Sequence, residues 1–301
     1  MDPKLLYQIK LAKELDRYED MRIYVFEYLN KLPDSFELDY NTRKLISQAY
    51  LNCINKKINT FRLLEAHGIL NKHYNESTVK SVMSENLTEP NDYKPYLSNY
   101  REKKEEEFKD YINKIISNEI DKYIAKFNKN PEDKLYFAKM KADFEKFMYD
   151  YVKIANFTDI NHVKESYNSA MKLAYENKIR KDNIIYLNLR LNYYCLCFLD
   201  LEEKRGNITK LNNENTESCN KEKEKFEKEY GNLLNEVEKA KQDTEKILNP
   251  KDYEKSNISE DLLNDYRMTY NLFEENLASW SLHFERNKED ETDEPSETAD
   301  I

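Results

Sequence analysis

The chain has 301 residues, of which 35% are charged and 39% hydrophobic, and a net charge of −10, which disfavours nucleic acid or an anionic membrane as the main partner. With only 3 Gly and 7 Pro, glycine-punctuated Rossmann and barrel folds give way to long helices with few connections. Cys53, Cys195, Cys197 and Cys219 follow neither a disulfide framework nor a zinc spacing, and His67, His73, His162 and His283 are scattered, so no metal and no cofactor is expected. No stretch approaches a membrane span and the N-terminal residues form no apolar leader. The expected location is the cytoplasm, with access to the nucleus.

Apolar periodicity near 3.6 residues predicts the elements in order. A first helix covers about 3–17, with Leu5, Leu11 and Leu15, and a second covers about 19–31, ended by Leu32-Pro33. A long helix runs over about 38–67 and stops near Gly68; residues 71–95 read as irregular, with Pro90 and Pro95 as breakers. The next, about 96–128, is nearly all charge and aromatic rings, its charges a solvated face. Pro131 suits the first position of a helix over about 131–154. Helices at about 162–178, 183–203, 221–248 and 258–285 follow, separated by soft polar stretches at 204–221 and 249–256 that read as exposed loops. The acidic end, 287–301, reads as disordered. The sum is an all-α domain over 1–286, an antiparallel array of nine helices around one core.

Three separated segments then point one way. RKLISQAYLNCINKKINTF (43–61), FAKMKADFEKFMY (137–149) and LFEENLASW (272–280) resemble signature stretches of the 14-3-3 family, and SYNSAMKLAYE (166–176) and LRLNYYCLCFLDLE (189–202) fit between them in order. The resemblance implies a nine-helix fold with an amphipathic groove, and a dimeric, non-enzymatic adaptor that clamps phosphoserine or phosphothreonine peptides of client proteins. It implies a homodimer, or a heterodimer, paired through Leu11, Ala12, Leu15, Thr60, Leu64 and Tyr100. Arg17 with Glu107 and Asp20 with Lys103 would be intersubunit ion pairs. For the groove it implies Leu191, Asn192, Leu272, Asn276 and Trp280, the two amides holding the ligand's main chain.

The chain departs from that pattern where phosphate is held. The family uses a lysine, two arginines and a tyrosine hydroxyl; the matching positions here are Leu51, Ile58, Lys146 and Phe147. Losing two cations and a hydroxyl costs on the order of 4–7 kcal/mol, about three to five decades of affinity. Leu51 and Ile58, seven residues apart on one face, are expected to line the groove as hydrocarbon. Arg62, Lys139 and Lys146 are the expected residual phosphate site, with Lys56 and Lys57 able to swing towards it. Leu199, in place of an acidic residue, and Ser279, in place of an apolar one, imply a changed ligand preference. The expected function is an adaptor with weakened or altered phosphate dependence. The alternatives are a structural dimerisation partner that no longer binds phosphopeptides, and a groove autoinhibited by the acidic tail around Ser296 and Thr298.

Overall fold

The computed structural model describes residues 3–74, 94–152, 159–211, 217–249 and 258–292. The stretches 75–93, 212–216 and 250–256 of the expected insertions, and residues 293–301 of the expected tail, lie outside them. Among the described residues there are nine helices and no strand. They are α1 (Pro3–Glu14), α2 (Tyr18–Lys31), α3 (Tyr40–Tyr74), α4 (Lys94–Ile115, a π turn Ile116–Ile120, then Asp121–Lys126), α5 (Pro131–Tyr151), α6 (Ile160–Glu176), α7 (Ile184–Leu211), α8 (Glu217–Leu248) and α9 (Glu260–Thr292). They divide into two compact units, 1–166 and 167–301.

Local chemistry sets the helix ends. Asp16 adopts φ 53°, and the Arg17 and Asp16 amides turn back to the carbonyls of Ala12 and Lys13, so α1 closes before the expected residue 17. Lys178, at φ 54°, closes α6 in the same way. Asn130 caps α5 by accepting from the Glu132 and Asp133 amides, with Pro131 in the first turn as expected. Three expected boundaries are corrected. α3 passes through Gly68 to Tyr74, because one interior glycine costs only about 1 kcal/mol. α7 extends through the polar 204–211 stretch, where Lys204 pairs with Asp200 and Glu229 at 3.0 Å and Arg205 with Glu202 at 2.7 Å. The acidic tail starts as helix, α9 reaching Thr292, since Glu and Lys are good helix formers.

In the first unit α4 lies antiparallel to α3: Phe61 meets Phe108, and Tyr50 donates to Glu119 at 2.6 Å. The π turn was missed in the sequence, although Phe108, Ile112, Ile116 and Ile120 recur every fourth residue, the wider period of such a turn. It carries Glu119 inward, where Arg22 and the Tyr50 hydroxyl bond its carboxylate. At the α5 N-terminus, fully buried Asp133 accepts from the Leu38 amide at 3.0 Å and from Arg43 at 2.9 Å. In the second unit α8 is antiparallel to both α7 and α9. Arg190 bonds Asp243 at 2.9 Å and the Tyr230 hydroxyl donates to the Trp280 carbonyl at 3.1 Å.

Both cores are rich in tyrosine. Burial raises the phenols of Tyr50, Tyr123, Tyr136 and Tyr230 above their ordinary 10.0, and pushes Tyr193 up to about 12. A folded-state value above the unfolded one means that this contribution to stability is whole below pH 10 and is lost as the pH rises through the folded values. The melting temperature followed by circular dichroism should therefore be insensitive to these groups up to about pH 9.5 and fall steeply above pH 10. The part of the tyrosinate absorbance that belongs to these buried phenols should rise together with unfolding, not ahead of it.

Candidate functional site

The expected groove residues fall into two sets, one in each unit. In the first unit, α3 and α5 run side by side in the same direction. Arg43 bonds Asp133, Ser47 bonds Tyr136 at 2.7 Å, and the Phe61 and Tyr151 rings stack at 5.8 Å, each pair about 90 residues apart in sequence. That register sets Leu51 level with the Lys139–Asp143 turn and Ile58 level with the Lys146–Asp150 turn. So α3 and α5 do bring Leu51, Ile58, Lys139, Lys146 and Phe147 into one neighbourhood.

Their exposure separates them. Leu51 and Phe147 are half-buried and present hydrocarbon to the surface, but Ile58 is only 2% exposed. The expectation that Ile58 walls an open groove is corrected: without a charged head group to keep in water, this branched side chain closes into the helix interface. Lys139 and Lys146 are not free to wait for an anion. Each donates to the aspartate one turn on, Lys139 to Asp143 and Lys146 to Asp150, both at 2.6 Å. Neither aspartate figured among the expected site residues, although the i, i+4 spacing is visible in KMKAD and KFMYD.

Magnitudes decide what these pairs do. Breaking one costs only about 0.3–0.5 kcal/mol, so the bond itself is no barrier. The carboxylate, however, stays in place. A phosphate held by either lysine would lie within a few ångströms of it, with repulsion of about 1–4 kcal/mol per pair of charges at 4 Å. Glu145 adds to this: it is buried, and its Oε2 has no hydrogen-bond partner, with the His162 Nε2 at 3.9 Å.

The seam separates two members of the expected residual phosphate site of Arg62, Lys139 and Lys146. By the register of the seam, Lys139 is level with residue 49 of α3, so Arg62 lies about 20 Å further along the axis. One phosphate cannot bridge that offset while Lys139 remains on Asp143. Arg62 is exposed, and its hydrogen bond among the described residues is to the Asn59 side chain at 3.4 Å. Lys57 turns the other way, over the Tyr111 ring at 4.2 Å.

In the second unit α7 and α9 are parallel, matched by a constant offset of 81 residues: Thr269 to Asn188, Asn276 to Cys195 and His283 to Glu202. Leu272 and Leu199 are exposed, and Asn192 and Asn276 are half-buried. The Asn276 amide donates to the Cys195 sulfur at 3.5 Å, and Asn192 also has a partner within the chain, so both amides are satisfied without a ligand. Leu191 and Trp280 are corrected from ligand contacts to core: Trp280 is 5% exposed and stacks on Phe198 with centroids 4.6 Å apart. Cys53, Cys195 and Cys197 are free thiols. Among the described residues no group of three or more His, Cys, Asp or Glu could hold a metal ion, and no helix is long and apolar enough to cross a membrane.

Helix order and seam geometry now stand beside the comparisons with known proteins. A family model described as 14-3-3 protein matches residues 8–249. The chain belongs to the 14-3-3 family. It is 26% identical over 211 residues to 14-3-3 protein beta/alpha of Gallus gallus, covering 69% of this chain and 78% of that one. With 14-3-3 protein I of Plasmodium falciparum (isolate 3D7) it shares 24% identity over 296 residues, covering 96% and 92%. With 14-3-3-like protein 2 of Caenorhabditis elegans it shares 27% over 196 residues, covering 63% and 68%. Membership of the 14-3-3 family supports an adaptor or scaffold role and the binding of client protein segments.

The residues that the 14-3-3 resemblance assigns to pairing lie in the first unit. Leu11, Leu15 and Tyr100 are exposed, Thr60 and Leu64 half-buried, and Ala12 is already buried within its own chain, so it adds nothing new to a pairing face. Arg17 bonds Asp20 at 2.5 Å and Glu107 bonds Lys104 at 2.6 Å, while Lys103 is exposed. The expected intersubunit pairs, Arg17–Glu107 and Asp20–Lys103, therefore require Arg17, Asp20 and Glu107 to exchange partners.

Because Trp280 is core, Trp280→Ala should cost about 3–5 kcal/mol of stability. A urea titration of each protein checks this: the variant's midpoint should fall sharply, whereas an unchanged midpoint would return Trp280 to the surface.

Proposed function

We propose that the chain is a 14-3-3-type adaptor that binds peptide segments of client proteins with weakened dependence on phosphate, in the cytoplasm with access to the nucleus. The observation that carries this reading is the α3–α5 seam, with hydrocarbon at Leu51 and Phe147 and each nearby lysine held by an aspartate at 2.6 Å. Such a face gives a dianion little that water does not. The exposed Leu272 and half-buried Asn192 and Asn276 of the second unit supply the apolar and amide surface that a peptide main chain and its side chains use.

Pairing of two copies belongs to the same proposal. Exposed Leu11 on α1 and Leu15 just past its end form an apolar stripe, and a cavity of about 210 Å³ opens between α3 and α4. Its apolar lining is Phe61, Tyr100 and Phe108, with Lys57, Lys104, Thr60 and Glu107 supplying the polar groups. An α1 stripe from a second copy would find both hydrocarbon and charge there.

The deficit is testable by restoring one cation where the seam admits it. Leu51 is half-buried, so a lysine there reaches solvent, whereas Ile58→Arg would force a charge into the interior. Leu51→Lys should raise affinity for a phosphoserine peptide by about ten- to hundredfold and leave its unphosphorylated twin unchanged, read by fluorescence anisotropy. Equal change for both peptides, or for neither, contradicts the reading.

A further inference from the structure

Resting on the groove reading above, we infer that the position where the resemblance expects phosphate receives an uncharged apolar side chain, from a client segment that is not phosphorylated there. Three features of the first unit converge on this. Leu51 and Phe147 are half-buried hydrocarbons on neighbouring, parallel helices, and burying apolar surface against them is favourable without any charge. Ile58, level with Lys146 and 2% exposed, closes the floor beneath with hydrocarbon where the resemblance expects a cation. On α5 the Lys139–Asp143 and Lys146–Asp150 pairs are closed at 2.6 Å and flank the hydrocarbon as two electrically neutral rims.

The charge balance selects between an anion and a neutral group. The Asp143 and Asp150 carboxylates that hold the two lysines repel a phosphate and are indifferent to a leucine or phenylalanine. An apolar side chain also leaves both lysine–aspartate pairs intact, whereas a phosphate must open one of them. The site therefore discriminates by exclusion as much as by attraction.

The test uses the full chain immobilised on resin and four pools of short synthetic peptides, randomised except at a central residue: leucine, phenylalanine, serine or phosphoserine. The leucine and phenylalanine pools should be retained about tenfold more than the phosphoserine pool. Leu51→Ala, its fold checked by circular dichroism, should abolish that preference while leaving the serine pool unaltered. Strongest retention of the phosphoserine pool overturns this inference but not the adaptor reading. An apolar preference that survives Leu51→Ala also overturns it, because the pocket would then lie elsewhere. Retention of no pool sinks the adaptor reading and this inference with it.

Discussion

Two lysine–aspartate pairs on one helix govern the chemistry of this protein. Lys139 and Lys146 carry cationic charge on the turns of α5 beside Leu51 and Ile58, and each spends it on the carboxylate one turn further on. A single i, i+4 pair of this kind, half-buried on one helix, adds little to stability. Its importance is electrostatic, because it turns two positive charges into two local dipoles whose negative ends never leave. With Leu51 and Phe147 beside them, the seam has the character of a lightly fenced apolar floor.

The scaffold that holds this floor is rigid for reasons independent of it. The α5 N-terminus is capped by Asn130 and tied to the α2–α3 connection through Asp133, which bonds both the Leu38 amide and Arg43. Behind α3, the π turn in α4 delivers Glu119 to Arg22 and Tyr50, a buried charge whose partners must all be present for it to be tolerated. The parallel register of α3 and α5 is thus pinned at one end by the Asp133 bonds and at the other by the Phe61–Tyr151 stack. Register decides which residues share a site, and it separates Arg62 from Lys139.

Much of this was legible in the sequence. Scarce glycine and a 3.6-residue period give the helix order, Pro131 marks an N-terminus, and the ordered signatures identify the family. What remained hidden depends on depth and register, which a linear pattern does not encode. Ile58 and Trp280 lie on the correct faces, but neighbouring side chains bury them. Arg62 seemed to share a site with Lys139 because both match basic positions, yet only the seam contacts reveal the axial distance between them. Helix breakers were overrated at Gly68 and at 204–211, where one residue's propensity is outweighed by the ion pairs and packing of a long rod. The Asp143 and Asp150 partners are readable from their i, i+4 spacing to the two lysines.

The most direct test follows the lysine ammonium groups themselves. Side-chain nitrogen resonances of Lys139 and Lys146, assigned with Lys139→Gln and Lys146→Gln variants, would be recorded as phosphoserine is titrated into the full chain. This account predicts that both stay at their aspartate-bonded positions at concentrations where free lysine responds equally little. A saturable shift of both resonances, with the lysines leaving Asp143 and Asp150 for the added phosphate, would contradict it.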